Sequence, residues 1–364
     1  MYQNFFEYNP ISSKEIKELW TESIFVFDTN VLLNLYRYSP TTSSQFLSSI
    51  DKIKDRVWIP NQVGLEFHRN RIKVIMDQRK KYSDFEENFH KLLKEIENKR
   101  QSPFFSDELL SNFRNIQQDF NKEIKEASKK LFSKIKKDEI LEKLNSIFVG
   151  NVGDSFEASE LKNIYKEGEE RYKTKIPPGY CDSKKPDNDK YGDLILWKQI
   201  LKKAKDDNLN LMFVLDDEKE DWWLINQNIT LSARPELVRE FYDQTTKKIV
   251  FYRPVKFLEE WNNYFGKNID DETIKEVENY REKENKNRIN IHLKVKGNIS
   301  SAKSFISFIE EIGYGISLPL SESEDIHNIH VSLPNIPDLK RRFTSKYLTK
   351  IDLYDLDIIE MTID

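Results

Sequence analysis

Cysteine occurs once, at Cys181. A single thiol excludes an intramolecular disulfide and every multi-cysteine zinc or iron-sulfur centre, and a reducing compartment is the natural expectation for such a chain. Glycine is scarce, ten in 364 residues, and these form neither a phosphate-cradling Gly-Lys-Ser loop nor a dinucleotide fingerprint. The five histidines, His68, His90, His292, His327 and His330, fall at no metal-binding spacing with acids or with the cysteine. Long apolar runs are missing as well. Stretches such as Ile24 to Phe27 are far shorter than the ~20 residues of a spanning helix, and Met1 to Pro10 has no basic region leading into an apolar one. The expectation is a cytoplasmic protein that does not engage a membrane. Nor is there a surplus of positive charge: 58 Lys and Arg stand against 62 Asp and Glu, a formal net charge of -4. A nucleic-acid site therefore has to be local.

What the chain does have is aromatic side chains. Charged residues make up 33% and hydrophobic residues only 38%, a balance that would suggest disorder, but 23 Phe, 16 Tyr and 6 Trp can fill a core. The length suits one large core or two domains. In the first part helical and strand periods alternate, the pattern of an α/β domain with a mostly parallel sheet. Ile24-Phe25-Val26-Phe27 and Leu211-Met212-Phe213-Val214-Leu215 read as strands buried on both faces, Val57-Trp58-Ile59 as a short strand, and Lys248 to Tyr252 as the last. Between Arg69 and Lys143, 19 Lys or Arg face 14 Asp or Glu, a local net of +5, with apolar residues at spacings of three and four. This segment reads as a helical hairpin broken around Ser102-Pro103, either a solvated pair or a basic wall beside a nucleic-acid groove.

The expected domain limits are 1–268, with a helical insertion over about 69–145, then a charged helix or linker over 269–287, then 288–364. In the last part strand and helix patterns follow as Ile289 to Val295, Ser301 to Ile312, Gly313 to Leu318, His327 to Leu333, Asp338 to Lys346 and Ile351 to Ile359. That order, βαββαβ, is the ferredoxin-like split motif. Its strands lack the aromatic pair of an RNA-stacking sheet, which favours a protein partner or self-association.

In a parallel sheet the crevice outside the carboxyl ends of the strands is the default site. Asp28 and Asp217 belong there, each following an apolar strand. Glu66 lies about two helical turns after the second strand, and Asp193 opens a helix after a polar loop. Such carboxylates repel unless a cation sits between them, and oxygen-only ligands suit Mg2+ or Mn2+. Each acid also has a purely structural role open to it. Asp28 can close a turn with Asn30, Asp216 or Asp217 can cap a helix, Asp193 can complement a helix dipole, and Glu66 can be solvated. Lys184, Lys185 and Lys190 precede Asp193 and could grip phosphates, as could Lys129, Lys130, Lys136 and Lys137 in the insertion. Trp222 and Trp223 either stack on bases or pack under a helix.

Phe25-Val26-Phe27-Asp28-Thr29-Asn30, Glu66 in a helix, Gly192-Asp193-Leu194-Ile195 and Phe213-Val214-Leu215-Asp216-Asp217 resemble the four acidic motifs of PIN-domain nucleases. Pro177-Pro178-Gly179-Tyr180, Asp216 through Trp223, and Arg234-Pro235-Glu236-Leu237 are similar to a bacterial PIN-like subgroup with a helical insertion. The resemblance implies an α/β fold, a PIN-like three-layer α/β/α sandwich with a helical insertion, here followed by the α+β ferredoxin-like module. It implies a divalent-metal-dependent nuclease using Mg2+ or Mn2+, acting on RNA in preference to DNA through a metal-activated water. Asp28, Glu66, Asp193 and Asp217 would be the metal-binding carboxylates, with Asp216 the alternative fourth acid and Asn30 orienting the first. A toxin, a phage-defence effector and an RNA-processing enzyme all fit this reading. Its rivals are a catalytically silent PIN-like RNA-binding or regulatory protein and a phosphatase acting on small phosphate esters.

Overall fold

A computed structural model describes residues 2–97, 104–226, 229–286, 288–311, 315–317, 326–334, 351, 353–354 and 356–363. The chain divides into two compact units, 1–277 and 278–364. In the first, β1 (Ile24–Phe27) is the hub of a parallel sheet. It pairs on one side with β2 (Val57–Trp58) and on the other with β3 (Leu211–Val214), and β3 pairs with β6 (Ile249–Tyr252). The order is β2-β1-β3-β6. A hairpin not visible in the apolar pattern, β4 (Trp223–Asn226) and β5 (Ile229–Ala233), stands apart from it as an antiparallel pair.

Helices connect and cover these strands. In chain order they are α1 (Ser13–Glu22), α2 (Thr29–Asn34), α3 (Pro40–Lys52), α4 (Asn61–Ile96), α5 (Asp107–Ser133), α6 (Glu139–Ile147), α7 (Ala158–Lys173), α8 (Gly192–Asp206), α9 (Pro235–Thr245) and α10 (Pro254–Phe265). Alternate strand residues point to opposite faces, and the sheet carries an aromatic cluster on each. On one face Phe25 and Phe27 meet Trp20, Phe46, Phe257 and Trp261, all fully buried, from α1, α3 and α10. On the other, Phe213 and Phe251 pack with Trp197 of α8, Phe241 of α9 and Trp222. These clusters hold the sheet rigid beneath its carboxyl-end rim.

The insertion is an antiparallel pair, the 36-residue α4 and the 27-residue α5, which pack along each other. The expected break at Ser102-Pro103 lies outside the described residues. A buried polar knot ties the base of the pair to the domain. Asp138 caps α6 by accepting from the Leu141 backbone N-H at 3.0 Å, accepts from the Tyr36 hydroxyl at 2.8 Å, and ion-pairs with Arg71 of α4. Ion pair and hydrogen bonds together satisfy a carboxylate that would otherwise be stranded.

The second unit has an antiparallel sheet of order β10-β7-β9-β8, from β7 (Arg288–Lys296), β8 (Gly315–Ser317), β9 (Ile326–Pro334) and β10 (Asp357–Ile363), with α12 (Ile299–Glu311) after β7. The expected helix Asp338 to Lys346 falls outside the described residues. Across the charged segment runs α11 (Asp271–Lys286), which the unit boundary cuts. Its first turns and the residues just before it belong to the core of the first unit: Ile269, ahead of the helix, and Thr273 and Val277 in it are buried, and Glu276 accepts from the Ser39 and Thr42 hydroxyls at 2.7 and 2.6 Å.

Two outcomes are expected. Asp138→Ala strands the Arg71 guanidinium in a buried site and should cost about 3–5 kcal/mol in denaturant unfolding, whereas a loss under about 1 kcal/mol would mean the knot is solvated. A fragment of residues 1–277 should fold alone, and 1–268 should be about 2 kcal/mol less stable because Ile269 and Val277 lose their burial. Equal midpoints for the two fragments would show that α11 adds nothing to the core.

Candidate active site

Asp28 follows β1 directly, and its backbone N-H continues the ladder to the Val214 carbonyl at 2.9 Å. It is the N-cap of α2, accepting from the Asn30 backbone N-H at 3.3 Å. A residue that ends a buried strand and caps the next helix has little freedom, so the carboxylate is fixed at the rim of the sheet. Glu66, on the second turn of α4, accepts from the Thr29 hydroxyl at 3.2 Å and from Gln62 Nε2 at 2.6 Å. Thr29 thus links the first acid to the second. Asp193 lies in the first turn of α8. The turn begins with Gly192 because a Cβ there would stand 2.7 Å from Glu66 Oε1; the missing side chain lets α8 approach the α4 carboxylate.

The two acids after β3 part company. Asp217 faces the cleft, while the Asp216 carboxylate accepts from Asn34 Nδ2 of α2 and does not line it. Asn30 acts on Asp28 through its backbone N-H; its side-chain amide donates instead to the Asp216 carbonyl at 3.4 Å. Asp28, Glu66, Asp193 and Asp217 line one cleft of about 820 Å³.

A fifth acid and a lysine, neither singled out by the sequence patterns, complete this wall. Lys219 Nζ lies 3.0 Å from Asp182 Oδ2, 3.3 Å from Asp193 Oδ2 and 3.1 Å from Asp217 Oδ2. Asp182 is delivered by the Pro177 to Cys181 loop, which is clamped from two sides. The buried Asp221 carboxylate accepts from the Gly179 and Cys181 backbone N-H groups, both at 3.0 Å. Arg171 of α7 forms a fork on Glu240 of α9, both bonds 2.7 Å, and also donates to the Pro177 carbonyl. Gly179 has φ +94°, and a Cβ there would meet the Tyr172 hydroxyl at 2.3 Å, so the loop needs glycine at this corner. Trp222 and Trp223 are 1% and 4% exposed, so the packing role expected for them holds and the stacking one does not. Their indole N-H groups serve the site from beneath: Trp222 donates to Asp193 Oδ2 at 3.4 Å and Trp223 to the Asp217 carbonyl at 2.6 Å.

The charges act strongly on one another. Burial raises the Asp28 carboxyl well above the usual carboxylate range, and the charges of Glu66, Asp193 and Asp217 raise it further. Burial, with Asp182, Asp217 and Asp221 adding to it, brings Asp193 up to about 7 even though Lys219 pulls the other way. Burial alone would lower the Lys219 ammonium, but Asp193, Asp217 and Asp182 outweigh it and hold the proton on.

Of the loop lysines, Lys185 lines the cleft and pairs with Asp182 at 2.7 Å, while Lys190 lies over the Tyr191 ring. Lys184 is not among the cleft's lining residues. In the insertion, Lys130 lines a second cavity of about 550 Å³ together with Arg37, Lys134 and Lys143; Lys129, Lys136 and Lys137 do not. Arg37 lines both cavities. Among the described residues no helix is long and apolar enough to cross a membrane.

A parallel α/β sheet whose carboxyl-end rim gathers acids from two strands and two helices defines the class. The family model of the PIN-like domain matches residues 24–237, and the chain belongs to that family. No curated protein and no solved structure matches it.

No group of three or more Asp, Glu, His or Cys side chains among the described residues converges in a way that could hold a metal ion. The donor chemistry nevertheless fits a hard divalent cation, being all carboxylate, and the repulsion felt by Asp28 is what such a cation relieves. This gives a test in metal-free protein. A carboxyl whose folded pKa is raised contributes stability that is complete below its unfolded value, about 4, and is lost as pH rises through the folded value, which for Asp193 is about 7. With EDTA present, the melting temperature should fall between pH 5 and pH 8, and Asp28→Asn should flatten the fall and melt at or above the parent at pH 8. An Asp28→Asn protein with the parent's slope and a lower melting temperature would remove repulsion from this site.

Proposed function

We propose that the chain is a divalent-metal-dependent nuclease that hydrolyses phosphodiester bonds, with RNA the favoured substrate. One observation carries the reading: four carboxylates from separate elements line one cleft at the sheet's carboxyl end, and three of them raise the proton affinity of the fourth. PIN-like domains are commonly nucleases and generally use divalent metals, which supports it.

In this reading Asp28 and Glu66 are the principal ligands for Mg2+ or Mn2+, with Asp193 and Asp217 lining the same cleft. Bound there, the cation supplies the charge that activates water and stabilises a leaving oxygen. Thr29 and Gln62 hold Glu66 in one orientation, and the Asn30 backbone N-H does the same for Asp28. Arg37, Arg69 and Lys73 line the same cleft and suit phosphates on either side of the scissile bond. Lys130, Lys134 and Lys143 offer further phosphate contacts at the insertion's base. We assign the first unit to a three-layer α/β/α PIN-like nuclease and the second to a ferredoxin-like module, whose strand order and antiparallel directions support the assignment. The module's role would be contact with a protein partner or a second copy of the chain.

The other reading, a silent nucleic-acid-binding protein, is favoured by the Lys219 ammonium, which already compensates three of the acids. Incubating the full chain with labelled single- and double-stranded RNA and DNA, in Mg2+, Mn2+ or EDTA, separates the two. Metal-dependent cleavage is expected, greatest on RNA. Asp28→Asn and Asp193→Asn should each lower it by at least about a hundredfold while binding persists, a loss of roughly 3 kcal/mol of transition-state stabilisation. Binding without cleavage in any metal would establish the silent reading.

A further inference from the structure

The cleft is electrostatically lopsided. Asp182, Asp193 and Asp217 share the ammonium of Lys219, each within 3.3 Å. By contrast, Glu66 is served by a hydroxyl and an amide and Asp28 by one backbone N-H. Among the described residues neither of these two acids has a lysine or arginine within ion-pair distance. At ion-pair distance, positive charge from the chain itself therefore reaches Asp182, Asp193 and Asp217 and not Asp28 or Glu66.

Lys219 is also no ordinary surface lysine. Its backbone N-H donates to Asp217 Oδ1 at 2.7 Å, and its carbonyl accepts from the Trp222 and Trp223 backbone N-H groups at 3.1 and 3.2 Å. The turn that carries it is pinned by those bonds and by the buried Trp223 indole, which donates to the Asp217 carbonyl at 2.6 Å. Asp221 in turn holds the loop that presents Asp182 as the third carboxylate on the ammonium. A long flexible side chain gives up considerable rotamer freedom to sit in one place. Here both of its ends are fixed, at one by the turn and at the other by three carboxyl groups, on α8, at the β3 exit and just after the Pro177 to Cys181 loop.

We propose that Lys219 is the resident cation of this site: its ammonium takes the place of a second metal ion between Asp193 and Asp217, so that the cleft binds one divalent ion, on the Asp28 and Glu66 side. The inference rests on the nuclease reading and makes Lys219 a positioning residue, since it acts through the carboxylates it holds.

The test is a count of bound ions on the full chain, by titrating Mn2+ and following free Mn2+ by electron paramagnetic resonance. The parent is expected to bind one ion and Lys219→Met two, while Lys219→Arg, which keeps the charge, stays at one. In EDTA, Lys219→Met should melt below the parent and gain more from added Mn2+. Should it not fold, Lys219→Gln takes its place with the same expected gain of one ion. A parent that binds two ions and cleaves overturns the role of Lys219 and leaves the nuclease reading standing. Variants that stay at one ion with the parent's affinity overturn it too. A parent that binds no Mn2+ and cuts nothing removes both.

Discussion

Like charges held close together at the edge of a hydrophobic sheet govern this molecule. Asp28, Asp193 and Asp217 sit where β1, β3 and α8 meet the solvent, and none can retreat, because each is fixed by the element it ends or begins. The repulsion is distributed among three compensating devices. One is a raised proton affinity, to which burial and the neighbouring acids bring the Asp28 and Asp193 carboxyls. Another is the neutral hydrogen-bond set of Thr29 and Gln62 on Glu66. The last is the ammonium of Lys219. A site built this way stores unfavourable electrostatic energy that only cation binding or proton uptake releases.

That energy has to be balanced by the rest of the fold, and the aromatic clusters on the two faces of the sheet are its counterweight. Trp20, Phe257 and Trp261 on one side, and Trp197, Phe213 and Trp222 on the other, are essentially inaccessible to water. Trp222 belongs to the core and to the site at once, since its ring packs on Phe213 while its N-H reaches Asp193. Core packing therefore bears directly on where the third acid sits. The Arg171 and Glu240 fork does the same work over a longer range, joining α7 to α9 and steadying the loop that ends in Asp182.

Much of this was legible in the chain before any coordinates. Continuous apolar runs ending in acid mark the buried parallel strands, because a strand covered on both faces tolerates polar residues only where it emerges. The family match over residues 24–237 bears out the resemblance drawn from those acidic motifs. What escaped notice depends on distant partners. Lys219 sits in the run Asp216-Asp217-Glu218-Lys219-Glu220-Asp221, where local pattern alone reads as a solvated charged turn. Its role exists only once Asp182 arrives from the neighbouring loop. The start of α11 looked exposed for a similar reason: its charges hide Ile269, Thr273 and Val277 at helical spacing, and Glu276 finds its hydroxyl partners 234 and 237 positions earlier. The β4 and β5 hairpin is short, and its register shifts between Leu224 and Ile225, which blurs the alternation that would reveal it.

Glu66 and the far end of the insertion ride on the same unbroken helix, 36 residues long, a rod of roughly 50 Å. The rod is fastened near its start, where the Gln62 backbone N-H donates to Gln199 at 3.0 Å and Asn61 reaches the Gly153 carbonyl at 3.4 Å. Arg71, locked to Asp138, fastens it again about 8 Å beyond Glu66, so the acid sits on a length of helix held at both ends. Bending of the helix beyond Arg71 would therefore leave the Glu66 carboxylate where it is.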